Sequence, residues 1–176
     1  MLDNDYQLII TFFTSRDMMV RYGRNSLVAR NLLDDQGLWD ETRFNIGLTL
    51  SRDFEKVSEA LFGASRTPIL VVWHKARLVF CGVDRSVIIS SWEHQFVRHH
   101  STIGVIVRFY LSQEEDYLLC WSVDGITCFD ETGQKIWYWS DPDVVSDVEV
   151  QLGTVVVTGE SGSARWCLDI GSGRQV

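Results

Sequence analysis

Residues 118–139 read LLCWSVDGITCFDETGQKIWYW. An apolar strand runs into a turn at Asp124-Gly125, a second strand follows, a turn comes at Thr132-Gly133, and an aromatic strand ends at Trp139. Short apolar or β-branched runs separated by Asp-Gly and Thr-Gly pairs are the pattern of antiparallel hairpins. The layout continues on both sides. From Ile69 onward, ILVVW, RLVFCGV, SVIIS, GVIVRFYL, KIWYW, VVSDVEV, TVVVTG and ARWCLDI succeed one another with turn residues between them. This half of the chain predicts an all-β array of short strands with essentially no helix.

The array repeats itself. Leu78–Ser90 (LVFCGVDRSVIIS) lies over Leu118–Asp130 (LLCWSVDGITCFD) at an offset of 40, and Phe129–Ile136 lies over Leu168–Val176 with Asp130 on Asp169. A strand–turn–strand unit of this period is a sign of repeat architecture. DGITCFDETGQKIW resembles the quinoprotein-type β-propeller repeat, in which a strand ends in Asp-x-x-Gly and restarts at a Trp. The resemblance covers residues 78–176, two complete units and part of a third. It implies stacked or twisted meander sheets; a role for the quinone cofactor is not implied, because the blade motif is structural.

Upstream, Tyr6–Phe13 (YQLIITFF) reads as a strand, with Asp17–Tyr22 as a candidate hairpin partner. Ser26–Leu33 fits a short helix or a strand, Asp34–Glu41 a loop, and Phe44–Leu50 a strand. Arg52–Phe62 is the clearest helix: Ser51 as N-cap, Asp53 and Glu55 at the positive end of the dipole, Phe54, Val57, Leu61 and Phe62 at helical spacing, and Gly63 after the last turn. The expected fold is therefore α+β and mostly β. Antiparallel meander sheets, propeller-blade-like or sandwich, occupy residues 68–176. A small mixed region over residues 1–67, containing one clear helix, packs on them.

The charge is uneven. Residues 1–108 hold 13 Lys/Arg and 12 Asp/Glu; residues 109–176 hold 3 and 12. So acidic a half repels phosphate backbones, which argues against direct nucleic-acid binding and for a basic protein partner. No apolar run is long enough for a membrane-spanning helix and the start of the chain has no basic n-region, so a cytoplasmic protein is expected. Cys81, Cys120, Cys128 and Cys167 all lie in apolar runs and read as buried free thiols.

Motifs of catalysis are missing from the sequence: no Gly-x-Ser-x-Gly elbow, no phosphate-cradling loop, no dinucleotide fingerprint. The most chemical cluster is 92–100, WEHQFVRHH, with His94, His99 and His100. On a strand His94 and His100 share a face while His99 turns away, and on a helix His94 and His99 diverge, so the spacing suits a metal poorly. A ligand- or metal-binding β domain, or a small enzyme, built on this cluster is the alternative reading.

The favoured reading rests on carboxylates and tryptophans. Glu114-Glu115-Asp116 forms one acidic turn, and Asp124, Asp130-Glu131, and Asp141-Pro142-Asp143 with Asp147 and Glu149 form others. Alternate turns of a meander emerge at one sheet end, so several of these are expected to gather on one rim. Trp137 and Trp139 share one strand face with Tyr138 opposite, and aromatic anchors ringed by charge suit a protein-binding surface. In overall character the chain resembles bacterial immunity proteins of contact-dependent and polymorphic toxin systems. That resemblance implies a non-enzymatic, cofactor-free antitoxin that blocks the active site of a cognate basic toxin, an RNase or DNase. Glu114, Glu115, Asp116, Asp141, Asp143, Asp147 and Glu149 would steer the partner, and Trp137, Tyr138 or Trp139 would anchor it. The oligomeric state is left open by the sequence.

Overall fold

The computed structural model describes residues 6–13, 44–52, 55–64, 68–91, 93, 96–141, 144–162 and 164–176. Fourteen strands lie in these segments: β1 (Tyr6–Phe13), β2 (Phe44–Arg52), β3 (Glu55–Ala64), β4 (Ile69–Trp73), β5 (Leu78–Val83), β6 (Ser86–Ser91), β7 (Val97–Ser101), β8 (Ile106–Leu111), β9 (Leu118–Ser122), β10 (Gly125–Phe129), β11 (Lys135–Ser140), β12 (Val145–Gln151), β13 (Thr154–Gly159) and β14 (Arg165–Asp169). They form four antiparallel meander sheets in chain order: β1-β2-β3, β4-β5-β6-β7, β8-β9-β10-β11 and β12-β13-β14. Each four-stranded sheet is a propeller-type blade.

Among the described residues there is no helix, which corrects the expected α+β class. The segment read as helix Arg52–Phe62 is instead the end of β2 and most of β3. Ser51, the supposed N-cap, is a buried β2 residue. β3 pairs with β2 from Phe44↔Ala64 to Arg52↔Glu55, with a register shift between Leu50 and Ser51. Val57 and Leu61 are four apart, a spacing that satisfies a strand's period of two as well as a helix's period of 3.6. The free edge of β2, already paired with β1 on its other side, decides the matter, because a ladder of backbone hydrogen bonds outweighs a weak local propensity. Asp17–Tyr22, Ser26–Leu33 and Asp34–Glu41 lie outside the described residues.

The middle blade is apolar on both faces, and two cores result. Alternation in β9 and β10 sends Leu118, Cys120 and Phe129 one way, onto Trp73, Leu78, Phe80 and Ile89 of the preceding blade. Leu119, Ile126 and Cys128 go the other way, onto Val148, Val155, Val157 and Leu168 of the following sheet. Phe80 is the hub of the first core, with ring centroids 5.3 Å from Phe129, 6.1 Å from Phe109 and 6.2 Å from Trp73. Gly82 lets β8 come close, since a Cβ there would stand 2.8 Å from the Phe109 ring.

The sequence repeat is a structural repeat. After β10, Asp130 Oδ1 accepts from Thr132 N, Thr132 Oγ1 and Gln134 N at 2.9, 2.7 and 3.0 Å. After β14, Asp169 Oδ1 accepts from Ser172 N and Ser172 Oγ at 2.8 and 2.6 Å. Gly133 and Gly173, at φ +74° and +68°, close the two turns by donating to the Asp130 and Asp169 carbonyls. The first turn launches β11. The second leads to a bridge of Gln175 with Leu168 and to a Val176 N bond to Cys167 O.

Cys81, Cys120 and Cys128 are buried free thiols, while Cys167 is half-buried. Burial pushes Cys81 and Cys128 up to about 12, and raises Cys120 as well. A raised thiol pKa favours the native state below the unfolded value of 9.0, and that contribution is lost as pH climbs toward 12. Two outcomes are expected. Replacing Phe80 by Ala lowers the unfolding free energy by about 3–5 kcal/mol in urea titration. A disulfide reagent at pH 8 labels Cys167 of the native protein first, and stability measured against pH declines above pH 9.

Candidate protein-binding face

Strand direction sorts the turns onto two ends. The β4–β5, β8–β9 and β12–β13 turns share one end with the turns that follow β6, β10 and β14. Cross-sheet bonds hold this end together: Trp73 Nε1 to Glu115 O and Trp137 Nε1 to Ile170 O, both at 2.9 Å. The opposite end is tied by Ile106 N to Asp84 O, Val145 N to Val123 O and Glu160 N to Val144 O.

The first end carries the densest charge. The β8–β9 turn is braced by Ser112, whose Oγ accepts from Asp116 N and Tyr117 N, both at 3.0 Å. Glu115 takes a positive φ of 54° there. Lys75, from the β4–β5 turn, reaches across and contacts Asp116, Glu131 at 3.0 Å and the Glu114 carbonyl at 3.3 Å. One ammonium thus clamps two acidic turns from different hairpins. Asp116 first, then Glu131, raise the Lys75 pKa above its ordinary value. Glu114 and Glu115 are exposed and make no ion pair with another described residue. Arg98 Nη1 donates to Thr132 O at 2.8 Å beside Glu131, and with Glu114, Glu115, Asp116 and Glu131 against Lys75 and Arg98 the rim keeps a net negative charge. Beside it, Arg77 pairs with Glu93.

The residues singled out from sequence distribute over three surfaces. Glu114, Glu115 and Asp116 stand on the rim, joined by Glu131. Asp141 lies at the opposite end, and Asp143 lies outside the described residues. Asp147 and Glu149 sit on the exposed side of β12, Glu149 within 3.9 Å of Arg165. A single gathering of all these carboxylates is not what the chain builds. The link that carries Asp141 leaves β11 at the far end of the blade, so strand count separates it from Glu114.

Trp137 and Trp139 pack in the seam between the last two sheets. Trp137 Nε1 donates to Ile170 O at 2.9 Å, and Gly173 lies so close that a Cβ would meet the indole at 2.6 Å. Trp139 meets Trp166 with centroids 5.2 Å apart. Tyr138 turns to the other side, with its hydroxyl buried and unpartnered. Glu131 belongs to one of the acidic turns legible in the sequence but was not among the residues chosen for steering, and Lys75 was missed; an isolated Lys in a turn tip gives no sign of a partner 41 residues away.

The histidines separate. His100 sits on the first-core side of β7, its ring 5.3 Å from Phe129, and His99 is exposed on the other side. Partial burial first, and then the nearby Lys135 charge, lower the pKa of His100. His94 lies outside the described residues.

Removing the indole donor while keeping an aromatic ring, Trp137→Phe, is expected to cost about 1 kcal/mol in thermal unfolding, the worth of one buried hydrogen bond.

No family model matches the chain, and no curated protein is significantly similar to it. Solved structures do share its fold. The β-propeller-like AztD of Citrobacter koseri superposes with a TM-score of 0.52 at 13% identity, over 77% of this chain and 43% of that one. Sqt1 of Saccharomyces cerevisiae gives 0.51 at 11% identity, over 78% of this chain and 45% of that one. The chain spans about half the length of these solved chains or less. At such identities the likeness concerns the fold alone, and the fold is that of β-propeller blades.

Proposed function

We propose that the chain is a protein-binding scaffold, performing no reaction of its own, that docks a basic partner protein on the rim formed by Glu114, Glu115, Asp116 and Glu131. One observation carries this reading: Asp116 and Glu131, from two turns, share the ammonium of Lys75, while Glu114 and Glu115 stand exposed in the same turn as Asp116 with no ion pair to another described residue. Opposite charge at a surface accelerates encounter and selects among partners more than it adds raw affinity. A blade array presents its turns rigidly, so the charges are placed before the partner arrives and little ordering cost falls on binding.

The finer form of the proposal is an immunity-type antitoxin. Its rim would occupy the cationic cleft of a cognate toxin nuclease, with carboxylates standing where nucleic-acid phosphates bind. The three buried free thiols favour a reducing compartment such as the cytoplasm for it. Asp141, Asp147 and Glu149 lie off the rim and would contribute long-range field only. The half-buried Trp137 and Trp139 would contribute through the seam they stiffen. Adjacent His99 and His100 face apart on β7, which supports the scaffold reading over one built on the histidine cluster.

The test is affinity capture from the native host with wild type and with the charge-reversed variant E114K/E115K/E131K. Capture of a basic protein should weaken about tenfold in the variant, and wild-type association should slow about tenfold from low salt to half-molar salt. The reversal of Asp147 and Glu149 should change capture less than threefold. Binding indifferent to both salt and rim reversal would remove the proposal.

A further inference from the structure

The rim borders a groove. It crosses the seam between the last two sheets, with a volume of about 230 Å³. Glu114 and Asp116 form one wall, Tyr117 and Ile170 line it where the second core comes to the surface, and Leu152 stands on the far side. The Ile170 N bond to Gly153 O keeps the far side in place, and the Ser112 bonds keep the near side. Drug-sized ligands and cofactors occupy pockets of about 300–1,000 Å³, so this one suits a single long side chain.

We infer that this groove is a subsite for one arginine side chain of the partner, a step that rests on the function proposed above. The chemistry of the walls selects it. An anion would be repelled by the carboxylates. A purely apolar group would strip water from Glu114 without replacing its hydrogen bonds, which is costly. A cation on an apolar stem satisfies both walls: methylenes lie on Leu152, Tyr117 and Ile170, and the charged head reaches Glu114. Leu152 occupies a turn tip and is 72% exposed, so its apolar surface is open to such a stem. Asp116 already has Lys75, which holds that side chain at the wall and leaves Glu114 as the main acceptor. The guanidinium carries five donors in a planar fork and can bridge two acceptors, whereas an ammonium is a compact, strongly hydrated point charge. Arginine is therefore preferred to lysine.

The experiment titrates the full chain with acetyl-Gly-Arg-Gly-amide, its lysine and citrulline counterparts, and reads backbone amide shifts by NMR. Saturable shifts centred on Tyr117, Leu152 and Gly153 are expected with the arginine peptide. The lysine peptide should bind about threefold more weakly and the neutral citrulline peptide should produce no saturation. E114Q and L152A, both surface changes, should each weaken the arginine peptide about threefold to fivefold, while E149Q leaves it unchanged. Shifts spread over Asp141, Asp147 and Glu149 alike, or equal response to arginine and citrulline, would overturn the subsite. The two readings fail separately: partner capture that survives E114Q and L152A together yet is lost on rim reversal refutes the subsite and leaves the binding face standing.

Discussion

Everything in this fold follows from the middle blade having no solvent face. Leu118, Cys120 and Phe129 point one way and Leu119, Ile126 and Cys128 point the other, and each of the six is fully buried. A sheet apolar on both sides must be covered on both sides, so a blade precedes it and a sheet follows it. The aromatic cluster at Phe80 closes one seam, and the Trp137–Ile170 and Trp139–Trp166 contacts close the other. Stacked meanders are the economical answer, because each hairpin returns the chain to the next strand without a long crossover.

That constraint also places the charge. Once blades stack in the same sense, every second turn of every blade emerges at one end, and residues from distant hairpins become neighbours. Lys75 finds Asp116 and Glu131 for this reason alone. The clamp is exposed and contributes little to stability; its importance is positional, since it fixes which carboxylates point outward and where. The same stacking brings Tyr117 and Ile170 to the rim and leaves a groove between two turns. Rigid scaffold and charged turns together are what a surface for a basic partner requires, and the rim has this character more than any other described part of the chain.

The site was only half legible beforehand. The acidic turn at Glu114–Asp116 announces itself, because three consecutive carboxylates between two apolar runs belong in a solvated turn. Its companions do not. Asp141 has the same local look yet lies at the opposite end, and Glu131 looks like an ordinary turn residue yet joins the rim. Parity of strands between two turns decides this, and a register is needed before parity can be counted. The tryptophans mislead in a related way. Local alternation correctly puts Trp137 and Trp139 on one face, while the neighbouring sheet turns that face into a seam.

What the chain determines by itself is the strand and turn grammar from Ile69 onward. Apolar runs of five or six residues, the Asp130–Gly133 and Asp169–Gly173 turns, and the forty-residue period are local, and hydrogen bonds spanning two to four residues enforce the turns. Only the tertiary structure could decide Glu55–Ala64. Its residues satisfy a helical period and an alternating one, and the unpaired edge of β2, far stronger than the difference in local propensity, makes it a strand. Only the tertiary structure, likewise, could bring Lys75 to Asp116. Contact across 41 residues depends on how sheets stack, and stacking is set by which faces must be buried.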